Sequence, residues 1–193
     1  MRMTRLCRRW AAAAILLVLW TPLSFGQQLR FVLDPAKTTI SYTLSATAHT
    51  VHGTFKAKSG ELDFAPSGEA NGIFIVDATT GESGNPSRDH KMHQVVLESQ
   101  KYPDIAFVPR KIVGNISPHG QSSFQMEGTF RLHGSDHVIT VPITTAISGR
   151  DVTAKANFII PYVEWGLKNP STFLLHVSKQ AEIDVIAQGT IQE

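Results

Sequence analysis

From residue 29 onward, apolar and polar positions alternate with a period of two, the pattern of strands that bury one face. Ile40, Tyr42, Leu44 and Ala46 interleave with Thr39, Ser41, Thr43, Ser45 and Thr47. A second run carries Phe55 and Ala57, then Leu62 and Phe64 in the opposite parity, with Ser59-Gly60 between them. One extra residue flips the facing of all that follow, so a β-bulge is expected there. The third run, 72–78, is apolar on both faces at Ile73-Phe74-Ile75-Val76, and the fourth is marked by Ile105 and Phe107. The fifth alternates cleanly: Phe124, Met126, Gly128, Phe130 and Leu132 against Gln125, Glu127, Thr129 and Arg131. Runs at 139–143, 152–158 and 181–191 complete eight. Pro142 in the sixth predicts an irregular or edge position, the place where a homodimer would pair.

Turn-forming clusters separate the runs at Pro66-Ser67-Gly68, Ser117-Pro118-His119-Gly120, His133-Gly134-Ser135-Asp136 and Ser148-Gly149-Arg150-Asp151. Connections this short favour antiparallel neighbours, because parallel ones need long crossovers. One helix is expected between the third and fourth runs. Asn85 suits the N-cap, Pro86 the first helical position, and Met92, Val95 and Val96 recur at helical spacing; Tyr102-Pro103 should end it. The fold class is all-β, eight antiparallel strands with one short helix, as a sandwich or a closed barrel. Closure removes exposed edges and suits long, glycine-bent strands.

Composition changes the picture in one respect. The 193 residues carry a formal charge of +2, yet residues 1–26 hold Arg2, Arg5, Arg8 and Arg9 and no acid. Beyond them, 14 Lys and Arg face 16 Asp and Glu, a net −2. A surface devoted to nucleic acid needs clustered cations, and none is present. The arginine-rich start leads into an apolar run over 11–20, then Thr21-Pro22 and Ser24-Phe25-Gly26. This reads as a secretory signal over 1–26 followed by a single domain over 27–193, periplasmic or secreted. The apolar run is about half the roughly 20 residues that span a bilayer, so no permanent membrane span is expected after cleavage. Cys7, the only cysteine, falls inside the leader, which leaves the rest without disulfides or a thiol nucleophile.

Patterns for catalysis are weak. Gly81-Glu82-Ser83-Gly84 lacks the glycine two places after serine that a nucleophile elbow needs. No glycine-rich phosphate loop appears, and carboxylates are scattered over polar strand faces. The chain is read as a non-enzyme without a cofactor. The eight histidines are the rival signal. His49/His52 and His90/His93 are three apart, His133/His137 four apart; only His90 and His93, on the expected helix, would share a face and reach one ion. An eight-stranded barrel is either filled by its own side chains or wide enough for one small ligand. Bulky inward groups here oppose small ones (Ala46, Ala57, Gly128, Ala154, Ala156, Ala187, Gly189), which suits either a slender apolar guest or tight interdigitation.

Five landmarks, in order, resemble the YceI-like family of envelope proteins over about residues 30–192. They are Thr39-Ile40-Ser41-Tyr42 through Val51-His52-Gly53-Thr54-Phe55 to Ser59-Gly60-Glu61-Leu62, then Arg88-Asp89, and then Lys101-Tyr102-Pro103-Asp104-Ile105-Ala106-Phe107. Glu127 to Gly134 leading to Val138-Ile139-Thr140-Val141-Pro142, and Glu164-Trp165-Gly166-Leu167 with the last strand, complete the set. The resemblance implies a lipocalin-like eight-stranded antiparallel barrel that holds a polyisoprenoid or similar long-chain amphiphilic lipid, as carrier or sensor. Two positions depart from the family pattern: Lys91 stands where a histidine is usual, and Phe158-Ile159-Ile160-Pro161 lacks the usual arginine. The interior expected to meet the lipid is Tyr42, Leu44, Phe55, Phe74, Met92, Val96, Phe107, Phe124, Phe130 and Phe158. The polar mouth is His49, His52, Arg88, His90 and Lys91. The alternatives are a metal-binding module or metal-assisted enzyme on His90 and His93, and a packed structural module whose outer faces recognise a protein.

Overall fold

The computed structural model describes residues 28–47 and 49–192. The leader expected over 1–26 lies outside the described residues. Nine strands form one sheet: β1 (Leu29–Leu33), β2 (Thr39–Ser45), β3 (Thr50–Phe64), β4 (Ala70–Glu82), β5 (Asp104–Val113), β6 (Gly120–Leu132), β7 (Ser135–Ser148), β8 (Asp151–Ile160) and β9 (Ala181–Gln192). Every pairing is antiparallel, and the ring closes because β2 pairs with both β3 and β9. β1 also pairs with β3 and β9, beyond the end of β2. The two short strands therefore share one position, and nine strands make an eight-stranded barrel.

The break between β1 and β2 has a local cause. Asp34 takes the chain into a turn, its carboxylate accepting from Ala36 N (3.1 Å) and its carbonyl from Thr38 Oγ1 (2.9 Å), while Pro35 has no N–H to give a ladder. Asp34 N donates to Gln188 O (2.7 Å), so the turn stays fastened to β9.

The alternation of the sequence is the facing of the barrel. In β6, Phe124, Met126, Gly128, Phe130 and Leu132 are all buried. In β3, parity switches where Lys58 and Ser59 are both exposed, at a register shift between Ala57 and Ser59, the expected bulge. His133 (φ 54°) and Gly134 (φ 77°) form a two-residue turn between β6 and β7 with both central residues left-handed, which matches the twist of the flanking strands. Pro142 is exposed opposite Gln125, and β7 pairs with β8 only from Ile143 onward. Proline thus sits where the ladder to β8 stops.

The helix α1 (Pro86–Lys91) passes directly into a π-helical turn, Met92–Val96. Asn85 caps it as expected, its side chain accepting from Arg88 N at 3.1 Å. It ends at Val96 rather than at Tyr102-Pro103. Leu97 N closes an i→i−5 bond to Met92 O (2.8 Å), and Glu98 then takes φ 46°. Left-handed backbone ends a helix without help from proline. No helix among the described residues is long and apolar enough to cross a membrane.

Candidate functional site

The inward faces of the barrel do not meet in the middle. They enclose an apolar cavity of about 590 Å³, lined by residues from all nine strands, from the helix and from the 161–180 segment. Small inward residues act in two ways. Gly128 is covered by Phe107, whose ring leaves only 2.6 Å to where a Cβ would stand. Gly189 likewise lies under Phe31. At these positions small size serves interdigitation. Ala154, Ala156 and Ala187 instead border the open space. The interior is therefore packed at some levels and hollow at others.

All ten apolar residues expected to face the interior line this cavity: Tyr42, Leu44, Phe55, Phe74, Met92, Val96, Phe107, Phe124, Phe130 and Phe158. Three of the five polar residues do so as well, His49, Arg88 and Lys91. His52 does not: it is exposed in β3, its Nδ1 3.1 Å from Thr43 Oγ1 on the neighbouring strand. It is one residue out of phase with the buried Val51 and Gly53, so a one-residue step carries it outside. His90 is also exposed and off the cavity, on the solvent side of α1.

Capping fixes α1, and α1 fixes the cations. Arg88 donates from Nε to Ser83 Oγ (2.7 Å) and from Nη2 to Ser83 O (2.8 Å), while Ser83 Oγ donates to Asp89 Oδ1. Ser83, the serine of the incomplete elbow, is thus the hinge pin of a short polar chain. Two of the five guanidinium hydrogens are used in these bonds, which leaves others to face the opening. Lys91 reaches across to Pro170 O at 2.8 Å, linking helix and segment over the barrel end. Tyr42 lies beneath; its hydroxyl donates to Met92 Sδ at 3.5 Å. Burial, and then the nearby Asp89 charge, push its phenol pKa upward.

The histidine pairs do not converge. His93 is held by Gly81 O on Nε2 (2.8 Å) and Ser99 Oγ on Nδ1 (2.9 Å). A carbonyl only accepts, so Nε2 carries the proton and both nitrogens are taken up in fixing the π turn to β4. His133 Nε2 lies 3.1 Å from Glu98 Oε2, whereas His137 stacks on Trp165 at 4.0 Å and 4°. No group of three His, Cys, Asp or Glu suited to a metal occurs among the described residues.

Two contributors have little signal in the sequence. The 161–180 segment alternates poorly, yet Tyr162, Leu167, Pro170, Thr172, Leu175 and Val177 line the cavity. Its order comes from one internal bond, Tyr162 Oη to Ser178 O (2.7 Å), and from bonds to the end of β2, Thr47 N to His176 O (2.9 Å) and Ser178 N to Ser45 O (2.8 Å). Thr145 is the other. Its parity with Val141 and Ile143 turns it inward, where its buried hydroxyl meets no partner among the described residues. It is a buried polar point in a mostly apolar wall.

A family model, the YceI-like domain, matches residues 31–188. The chain belongs to the YceI-like family. Solved structures with the same fold include a polyisoprenoid binding domain from Saccharophagus degradans implicated in plant cell wall breakdown, at 14% identity and TM-score 0.67, over 84% of this chain and 98% of that one. Burkholderia cenocepacia BcnA matches at 16% identity and TM-score 0.65, over 83% of this chain and 99% of that one. The Campylobacter jejuni YCEI protein matches at 19% and 0.61, over 76% and 88%. Among curated proteins none matches. At these identities the structural likeness is one of fold.

Proposed function

We propose that this protein is a lipid carrier or sensor of the cell envelope that holds an isoprenoid or similar long-chain amphiphile in its barrel, and that it works by binding rather than by catalysis. The observation that carries this reading is the apolar cavity of about 590 Å³ with Arg88 and Lys91 at one end. A structural neighbour described as a polyisoprenoid binding domain supports the ligand class, and the arginine-rich leader supports export.

Burying apolar surface contributes about 2.5 kcal/mol per 100 Å². Association costs roughly 4–15 kcal/mol in lost freedom. The two figures together select the ligand: only a chain long enough to bury several hundred Å² binds tightly without a charged contact. The tail then occupies the space beside Ala154, Ala156 and Ala187, and the head remains near Arg88, Lys91 and His49. Two cations there favour an anionic or strongly hydrogen-bond-accepting head.

Native mass spectrometry of protein purified gently from its own cells tests the proposal. The expected result is a species heavier than the polypeptide by one lipid. Bare polypeptide in every preparation, with nothing taken up from a total lipid extract, would count decisively against it.

A further inference from the structure

Beside the cavity's polar end, the segment between β8 and β9 makes a tight turn closed by Thr172 N to Leu175 O (2.8 Å) and by Leu175 N to Thr172 Oγ1 (3.2 Å). Thr172 and Leu175, the two feet of this turn, line the cavity. Its apex is Phe173 and Leu174, 95% and 85% exposed. Single exposed apolar residues are ordinary on protein surfaces, but here two large ones are adjacent, at the tip of a braced loop. The bracing comes from Asn169 and Ser171: Ser171 Oγ donates to Asn169 Oδ1 (2.5 Å), Val177 N donates to Ser171 Oγ (2.8 Å), and Asn169 Nδ2 donates to Val177 O (3.2 Å).

The charge around this tip has one predominant sign. Within residues 161–180, Lys168, His176 and Lys179 stand against a single carboxylate, Glu164. Arg88 and Lys91 line the same cavity as Thr172 and Leu175, Lys91 Nζ reaching Pro170 O (2.8 Å) at the foot of the loop, and the acid beside them, Asp89, accepts from Ser83 Oγ. Apolar side chains projecting from a cationic rim are what an anionic lipid surface accommodates: rings enter the acyl boundary while cations stay among the head groups.

We propose that Phe173 and Leu174 form a membrane-docking tip that seats the open end of the barrel on an anionic bilayer, so that a lipid passes between bilayer and cavity without crossing water. The docking rests on the lipid-carrier reading for its purpose, but it is tested apart from it. The protein as purified from its own cells and its Phe173→Ser/Leu174→Ser variant, prepared in the same way, are sedimented with vesicles of phosphatidylglycerol and phosphatidylethanolamine, and with vesicles of phosphatidylcholine alone. Neither tip residue lines the cavity, so uptake of a detergent-solubilised prenyl lipid serves as the internal control.

The expected result is that the natural protein sediments with the anionic vesicles, that the double variant partitions roughly tenfold less or worse, and that both take up the solubilised lipid equally. Equal sedimentation of the two proteins, or no sedimentation of either, overturns the docking even where the cavity holds lipid. Sedimentation of the natural protein with no lipid uptake by either protein would overturn the carrier reading and leave the docking standing. A vesicle-free dimer that the double substitution turns into a monomer would assign the tip to a second copy of the chain instead.

Discussion

At Gly128 an added Cβ would meet the Phe107 ring at 2.6 Å and the Val108 carbonyl oxygen of the next strand. Backbone cannot move aside as a flexible side chain does, so Gly128→Ala is expected to cost about 1–3 kcal/mol, the range of overpacked cores. Urea unfolding with an unchanged m-value checks it. Asn85 fills a quieter role. Its side chain holds the first turn of α1 through Arg88 N, and Asn85→Ala is expected to destabilise by about 1 kcal/mol. If α1 orients the cations, that variant also weakens lipid uptake more than its stability loss explains, and a titration read beside the unfolding curve separates the two.

Among elements, the 161–180 segment is the most informative, because it is fastened along the cavity by side-chain and backbone bonds instead of a strand ladder. Tyr162, buried and bonded to Ser178 O, has its pKa pushed up to about 12 from 10.0 by burial. The folded chain thus holds this proton more tightly than the unfolded one. Its contribution to stability is complete below pH 10 and falls as pH rises toward 12. Tyr162→Phe is expected to flatten that part of the pH dependence of the urea midpoint; an identical alkaline slope would contradict the assignment. Strand facing was legible in the sequence because period two is a property of each strand by itself. β6 and the bulge of β3 follow from it directly. What was not legible depends on contacts between distant segments. The π turn stops at Val96, before the left-handed Glu98, with His93 tied to Gly81 and Ser99, and no local pattern announces that tie. The 161–180 segment is ordered by partners more than a hundred residues away, Thr47 among them. The same limit applies to the polar lining: His49, Arg88 and Lys91 border one cavity through the barrel's closure, while parity turns His52 outward.

For the whole molecule, closure and hollowness are separate facts with separate causes. Closure follows from β9 pairing with β1 and β2. Hollowness follows from which small residues are left uncovered, since Phe31 and Phe107 consume two glycines and leave the alanines of β8 and β9 open. Ala154 is the sharpest place to test this, because it borders the cavity and lies opposite Ala187 and Thr145 in the adjoining strands. Ala154→Phe should fill the space without unfolding the barrel. The decisive measurement is the native mass of this variant beside the natural protein, both purified from the same cells, with circular dichroism to confirm the fold. The account predicts lipid on the natural protein and bare polypeptide for the folded variant; the same lipid retained at full stoichiometry by Ala154→Phe would contradict it.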